Sequence, residues 1–294
     1  MTSIIRTFIP GSEWLYFKIY AGEKTADKIL TNEVYRFVHN LDKEKCIFKW
    51  FFIRYADPDF HIRLRLLIDK EKISYIMSLF YKKFNSLVNK RIIWKIQLDT
   101  YNREIERYGS HLIQEAESLF CFDSNCVISI LRQVNRSKNE NYRWLISLEM
   151  VDSLLSDFSL DLASKKDFVE KCSESFRAEF GFNELNSKQL NTKYRENKKL
   201  IELVLTGNLN EADFKKCEIP IFKRSIMLKP IVINIKKKLL NNRTLLLSNL
   251  LTSYIHMMID RIFLSDNRVH ELVIYDFLRR YYTSIIQRNK YNKR

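Results

Sequence analysis

The sequence predicts an α+β fold: an antiparallel-containing sheet in the N-terminal third packs with helices, and a mostly helical remainder follows. Two observations predict this class. Short runs of aromatic and β-branched residues alternate with helical patterns up to about residue 102, and beyond them most segments repeat apolar residues at intervals of three and four. Strands separated by helices favour one sheet with helices covering one of its faces.

The N-terminal part contains four strand patterns, separated by polar or proline-containing segments and by two amphipathic helical patterns. We expect the four strands to form one sheet. The predicted strands are Leu15–Tyr20, Cys46–Tyr55, Phe60–Ile68 and Ile92–Tyr101, and the predicted helices between them are Ala26–Leu41 and Lys72–Ser86.

The remainder of the chain, about residues 103–290, reads as a succession of helices. Apolar spacing and polar breaks set their approximate ends. The predicted helices are Glu104–Phe120, Cys126–Leu131, Tyr142–Phe158, Lys165–Glu179, Lys188–Leu205, Ile231–Leu240, Thr244–Leu264 and Val269–Gln287.

Composition narrows the classes of function. The 294 residues carry a net charge of +15 and an isoelectric point near 9.5, which favours anionic partners such as nucleic acid, acidic peptides or a membrane surface. Five glycines leave little material for glycine-rich phosphate loops. Five cysteines without a CxxC pair indicate neither a disulfide framework nor a zinc site. No apolar run is long enough to span a membrane, so we expect a cytoplasmic protein.

The first candidate site lies on the predicted strand Phe60–Ile68. Strict alternation places His61, Arg63 and Arg65 on one face and apolar residues on the other, with the two guanidiniums about 7 Å apart. Each guanidinium is a planar fork of N–H donors that matches the two oxygens of a carboxylate, so two of them on a rigid strand suit a substrate that carries carboxylates. The alternative is a solvated polar sheet face, which the pattern alone favours.

Two further segments carry candidate residues. At the passage from the last predicted strand into a helix, Glu104 and Arg107 are three residues apart and share a helix face, as ordinary surface pairs also do. In the predicted helix Thr244–Leu264, His256 and Asp260 lie on the polar stripe one turn apart. Histidine carries protons at neutral pH, and an acid one turn away can orient its ring. A surface histidine beside an acid is the alternative reading.

Taken together, the motifs resemble a known family, the thiopeptide-type bacteriocin biosynthesis domain, which is the C-terminal, glutamate-eliminating part of class I lantibiotic dehydratases. They occur in the order found in that family and cover about residues 10–285. The motifs are Trp14–Tyr20, Trp50–Tyr55 with Asp57 and Pro58, His61–Arg65, Asp99–Gly109, and Ile255–Met257 with Arg261.

The resemblance implies a two-step chemistry. In that family a glutamylation domain transfers glutamate from glutamyl-tRNA onto Ser or Thr of a precursor peptide, and the elimination domain expels it to leave dehydroalanine or dehydrobutyrine. It implies that residues 1–294 form a single elimination domain, a stand-alone lyase of a split dehydratase. Its expected partners are the precursor peptide, with glutamylated core and leader, and a separate glutamylation protein. Neither a cofactor nor a metal is expected.

The resemblance also implies residue roles. It assigns elimination to Arg63, Arg65, Glu104, Arg107 and His256, all five of which are present. It places Arg54, His61, Asp260 and Arg261 in substrate binding. The chain departs from the family pattern at Ser110, where a second glycine is common, and at Asp260, where the family often has Asn.

Two other functions stay open. Some stand-alone members of the family are pyridine synthases, which join two dehydroalanines in a formal cycloaddition and release the leader peptide. The positive charge is also consistent with a non-catalytic scaffold or RNA-binding protein. We expect the charge to attract an acidic leader or the partner protein instead, without direct nucleic-acid binding; a homodimer is left open.

Overall fold

The computed structural model describes residues 4–241 and 245–291 and confirms the α+β class. The chain packs into two compact units, the first formed by Met1–Arg132 with Ile233–Ser265 and the second by Gln133–Val232 with Asp266–Arg294. That residues 1–294 act as one elimination domain stays a prediction. The strands, all in the first unit, are β1 (Thr7–Phe8), β2 (Trp14–Tyr20), β3 (Ile47–Ala56), β4 (Phe60–Ile68), β5 (Lys95–Leu98) and β6 (Tyr101–Asn102).

Helices make up most of the chain, and predicted helix ends differ from the observed ones mainly where a helix is broken or prolonged. Residue Thr244, the predicted start of one helix, lies outside the described residues. The helices are α1 (Glu23–Lys28), α2 (Tyr35–Lys43), α3 (Ile73–Asn89), α4 (Ile105–Tyr108), α5 (Ile113–Ser137), α6 (Asn141–Asp157), α7 (Leu162–Glu179), α8 (Glu184–Leu205), α9 (Ala212–Asn241), α10 (Leu247–Ile262) and α11 (Asn267–Tyr291).

The main sheet is antiparallel with strand order β3-β4-β2-β5. The prediction that the four strands form one sheet is confirmed, but the predicted strand Ile92–Tyr101 was too long, because the chain turns at Asp99 and Thr100. The Asp99 carboxylate accepts a hydrogen bond from the Thr100 amide at 2.7 Å, and β6 then pairs with β1 in a separate two-stranded sheet. A short side chain that bonds the next backbone amide stabilises such a turn.

One face of the main sheet carries the hydrophobic core of the first unit. Leu64, Ile62 and Phe17 are buried there, and the Phe17 ring stacks on Phe80 of α3 at 4.0 Å. The predicted helix Ala26–Leu41 is instead α1, a π-helical segment and α2. Because helices cover this face, the opposite face of β4 is the one that presents polar side chains.

The predicted helix Glu104–Phe120 is broken at Gly109, which has a φ of +75°. A side chain there would be strained, and its Cβ would lie 2.6 Å from Leu245 Cδ1. The chain therefore forms the short α4, turns, and starts α5, which absorbs the predicted helix Cys126–Leu131. This break fixes α4 beside the start of α10.

The second unit is helical, with α11 packed against α6, α7 and α8. The prediction of a helix over Ile231–Leu240 alone was too short, since α9 runs for 30 residues through Pro220 and Pro230. Proline interrupts helical hydrogen bonding, but buried neighbours such as Ile221 and Leu228 supply packing that outweighs this cost.

The five cysteines are buried free thiols. In the described ranges, every helix is too short or too polar to cross a lipid bilayer.

Candidate active site

The polar face of β4 forms the floor of the candidate site. Antiparallel register places Arg65 opposite Tyr16 of β2 and Phe51 of β3, and places Arg63 opposite Lys18 and Ile53. The alternation predicted for this strand is confirmed, because the intervening Leu64 is fully buried on the other face.

Arg65 is a buried cation that has no anionic partner among the described residues. Its side chain lies among aromatic rings, with the guanidinium carbon 4.5 Å from the ring centre of Tyr16, 4.9 Å from Tyr101 and 5.3 Å from Phe51. The residue is 8% exposed, its Nε has no hydrogen-bond partner, and it forms no ion pair with any residue that the structure describes. Aromatic faces offset only part of the cost of removing a guanidinium from water. The arrangement therefore favours an incoming anion.

Arg63 is held by a neutral histidine. Its guanidinium carbon lies 3.4 Å from the Tyr55 ring centre, and its Nε donates to His61 Nε2 at 3.2 Å. His61 Nδ1 lies 2.8 Å from the Asp59 carbonyl oxygen, and burial, helped by the Arg63 charge, lowers the pKa of His61. These partners assign the tautomer with a proton on Nδ1. His61 thus orients Arg63 without adding charge.

An ion pair flanks the two arginines. Lys18 of β2, the strand beside β4, lies with its Nζ 2.5 Å from Oδ2 of Asp99, which directly follows β5. Burial alone would raise the pKa of Asp99, but the hydrogen bonds from Lys18 and the Thr100 amide outweigh it and lower that pKa. Asp99 stays charged and neutralises Lys18, whereas the two β4 guanidiniums pair with no carboxylate in the part of the chain that the structure describes.

Glu104 and Arg107 lie at α4. Glu104 Oε2 is 3.3 Å from Arg107 Nη1, and both side chains are about half exposed. Burial lowers the pKa of Arg107, but the charge of Glu104, followed by Tyr108 and Asp260, outweighs it and raises that pKa. Asp260 lies on α10, so α10 contributes to the electrostatic environment of Arg107.

His256 and Asp260 face each other on α10. His256 Nε2 lies 3.4 Å from Asp260 Oδ2, and the two side chains are 27% and 14% exposed. An imidazole paired with a carboxylate at a partly exposed position fits a proton carrier. This contact confirms the prediction that the two residues lie one turn apart on the same side of the helix.

An aromatic cluster connects the β4 arginines with α4 and α10. Phe51, which lines the Arg65 pocket, contacts Phe120 at 5.5 Å between ring centres. Phe120 in turn contacts Tyr108 of α4 at 5.3 Å and Tyr254 of α10 at 6.2 Å. The same packed cluster therefore positions both groups of predicted site residues.

Glu117 anchors this arrangement and was missed from the sequence. Its carboxylate accepts two hydrogen bonds from Arg103, both 2.7 Å long, and one from the Tyr101 hydroxyl at 3.0 Å. Arg103 immediately precedes α4, and Tyr101 is a wall of the Arg65 pocket. Tyr16, Tyr55 and Tyr101 were also missed, although the alternation of β2 would place Tyr16 beside Arg65 once the strand pairing is known.

Three of the residues predicted to bind substrate are buried, namely His61, Arg54 and Arg261, and the last two are enclosed by protein partners. The guanidinium of Arg54 pairs with Asp27, and its Nε donates to the Arg261 carbonyl at 3.0 Å. Arg261 Nε donates to the Phe52 carbonyl at 2.8 Å, and its Nη1 pairs with Asp123 at 3.1 Å. Both side chains are almost fully buried and join β3, α1, α5 and α10. The structure does not bring them to a surface that substrate could reach.

Comparison with protein families and curated proteins gives consistent results. Residues 14–282 match the family described as lantibiotic biosynthesis dehydratase C-term. The subtilin biosynthesis protein SpaB of Bacillus subtilis is 30% identical over 181 residues, which are 60% of this chain and 17% of SpaB. The epidermin biosynthesis protein EpiB of Staphylococcus epidermidis is 27% identical over 255 residues, 85% of this chain and 24% of EpiB. The chain thus spans less than a quarter of each of these relatives.

Solved structures share the fold at low sequence identity. The tRNA-dependent lantibiotic dehydratase MibB from Microbispora sp. 107891 matches with a TM-score of 0.73 and 18% identity, covering 96% of this chain and 29% of MibB. TbtD, a pyridine synthase from thiomuracin biosynthesis, matches with a TM-score of 0.63 and 12% identity, covering 92% of this chain and 99% of TbtD.

Proposed function

The chain belongs to the lantibiotic biosynthesis dehydratase C-terminal family, and on that premise we propose that it eliminates glutamate from glutamylated Ser and Thr residues of a precursor peptide. The product is a peptide with dehydroalanine or dehydrobutyrine. A separate glutamylation reaction supplies the substrate.

The unpaired Arg65 is the observation that carries this proposal. A guanidinium held in an aromatic pocket without a carboxylate provides stabilisation for an anion that forms during a reaction. Glutamate elimination releases a carboxylate, so both its substrate and its leaving group offer oxygens to such a cation. Arg63, 3.4 Å above Tyr55, provides a second fork on the same strand face.

The reaction breaks two bonds and forms one double bond. In the proposed step His256 removes the Cα proton, the released electron pair forms the Cα–Cβ double bond, and the Cβ–O ester bond breaks. Arg63 and Arg65 bind oxygens of the glutamyl ester, and Arg107, held by Glu104, neutralises the departing glutamate. Asp260 stabilises the imidazolium that forms on His256.

Arg54 and Arg261 take a different role in this proposal. Because both are enclosed by protein partners, they position β3 and α10 rather than contact the peptide. His61 likewise orients Arg63.

A pre-glutamylated peptide tests the proposal directly. The purified chain should convert it to the dehydrated form, and mass spectrometry should detect free glutamate in equal amount. His256→Ala and Arg65→Ala should leave the glutamyl ester in place. Arg65→Lys should also be impaired, because lysine keeps the charge and loses the planar fork.

The chain offers a matched control. Arg132 also lies over an aromatic ring, with its guanidinium carbon 3.8 Å from the centre of Tyr35, and it is not one of the candidate residues. Arg132→Lys should retain full elimination activity. Complete dehydration by both His256→Ala and Arg65→Ala would refute the proposal.

Pyridine synthesis is the second candidate, because the pyridine synthase TbtD shares this fold with a TM-score of 0.63. Incubation with a peptide that contains two dehydroalanines separates the two functions. A pyridine-containing macrocycle and a released leader, without turnover of the glutamylated peptide, would favour the synthase.

A further inference from the structure

The second unit contains a cavity of about 370 Å³ between α8 and α11. Four cationic side chains line it, Arg195 and Lys198 from α8 and Arg279 and Arg280 from α11. Hydrogen-bonding side chains such as Ser284 complete the wall, and none of the described residues that line the cavity is a carboxylate. A cavity with this lining attracts anions.

The positive charge at this cavity is not neutralised by the protein groups around it. The buried Asp276 accepts hydrogen bonds from Arg177 at 2.6 Å, Arg279 at 3.1 Å and Arg280 at 2.5 Å. One carboxylate balances only one of these three guanidiniums. Within residues 4–241 and 245–291, Arg195 and Lys198 pair with no carboxylate, so they add two further positive charges.

Tyr194 forms part of the cavity wall. The residue is 8% exposed, and its hydroxyl has no hydrogen-bond partner among the described residues. Burial, with the charge of Glu202, raises the pKa of Tyr194 to about 12, so the hydroxyl remains a donor at neutral pH. Because the hydroxyl is closed to solvent, Tyr194 contributes its ring to the cavity wall, and the charged side chains carry the recognition of a ligand.

We propose that this cavity binds phosphate groups, carried either by a free nucleotide or by a segment of RNA backbone. The planar guanidiniums of Arg195, Arg279 and Arg280 match the geometry of phosphate oxygens. Four cationic side chains line the cavity, so a ligand with a single carboxylate would neutralise only one of them. The volume is in the range of small-molecule sites. The proposal goes beyond glutamate elimination and uses none of the residues assigned to it.

Calorimetric titration of the full chain tests this proposal with four probes: pyrophosphate, ATP, a short RNA hairpin and citrate. Pyrophosphate and ATP should bind about tenfold or more tightly than citrate, a carboxylate polyanion of similar charge. A free nucleotide is the source if ATP binds at least as tightly as the hairpin. RNA is the source if the hairpin binds more tightly and its affinity falls steeply between about 0.05 and 0.2 M salt.

A pair of double variants distinguishes a defined site from a generally basic helix. Arg195→Gln/Lys198→Gln removes two cations that line the cavity, and it should weaken phosphate binding roughly tenfold for each cation lost. Lys193→Gln/Lys199→Gln removes the same charge from exposed positions of α8 outside the cavity lining, and it should change affinity less than about threefold.

Equal weakening by the two double variants would overturn the proposal, as would citrate binding as tightly as pyrophosphate or the absence of binding by every phosphate probe. Thermal unfolding of both variants establishes that each is folded before it is titrated.

Discussion

The first unit contains two sets of arginines that differ in their partners. Arg54, Arg103 and Arg261 each face a carboxylate, namely Asp27, Glu117 and Asp123. Arg63 and Arg65 lie on β4 against aromatic rings and pair with no carboxylate that the structure describes. Arg103 and Arg65 are almost equally exposed, at 7% and 8%, so the sets differ in the charge beside each guanidinium and not in burial.

We infer that the arginines paired with carboxylates stabilise the fold and that the arginines on β4 are available to bind an anionic ligand. A paired, buried guanidinium leaves an uncompensated carboxylate when it is removed. An unpaired guanidinium leaves no such group, so its removal costs little stability and eliminates whatever anion binding it provides. Burial by itself therefore does not indicate the role of an arginine.

The largest effect should come from Arg65→Met, which keeps most of the side-chain volume and removes the charge. Elimination of glutamate should slow about a thousandfold, the upper range for losing one preorganised donor. The free energy of unfolding should stay the same or rise, because no ion pair is lost. Single-turnover mass spectrometry and urea unfolding of the same preparation measure the two quantities. A large loss of stability would contradict the comparison.

The opposite outcome is expected for Arg261→Met. This substitution removes the guanidinium that faces the buried Asp123 and the Phe52 carbonyl, and it should lower the free energy of unfolding by about 3 kcal/mol. Urea unfolding checks the value. In Arg261→Met/Asp123→Leu the stranded carboxylate is also removed, so part of the stability should return. If stability does not recover in the double variant, the unpaired Asp123 carboxylate is not the cause of the lost stability.

A smaller effect should follow from loosening Arg63. His61→Phe removes the nitrogen that accepts from Arg63 Nε while retaining an aromatic ring beside Tyr20 and Tyr55. We expect kcat/KM for the glutamylated peptide to fall about tenfold, the value of one hydrogen bond to a charged group. If activity is unchanged, His61 does not position Arg63.

The smallest effect concerns pH. Burial lowers the pKa of His61, so the folded protein holds this imidazole neutral while the unfolded chain binds a proton below a pKa of about 6.5. The stabilising contribution is present above that value and is lost as the pH falls through the folded pKa. His61→Phe should therefore reduce the loss of stability between neutral and mildly acidic pH in urea unfolding.

A second buried histidine requires its own control in that measurement. Burial also lowers the pKa of His270, in the second unit, so wild-type stability should fall with pH through both residues. His270→Phe should by itself reduce the change in the free energy of unfolding between neutral and mildly acidic pH. If neither substitution changes this pH dependence of the free energy of unfolding, other titrating groups dominate it.

Several features were predictable because they depend on local periodicity. The alternation of Phe60–Ile68 placed His61, Arg63 and Arg65 on one face, and the spacing of His256 and Asp260 placed them one helical turn apart. The break at Gly109 and the passage of α9 through two prolines were not predicted, since both depend on which distant residues pack there.

The amino-acid sequence by itself determined the class of fold, the strand faces, the helical spacing of the candidate pairs and the motifs that place the chain in its family, because each is a property of neighbouring residues. Only the tertiary structure decided which arginines are satisfied. Asp123 is 138 residues from Arg261, and Tyr101 is 36 positions beyond Arg65, so the presence of a carboxylate or of a ring beside each guanidinium is set by packing between distant segments.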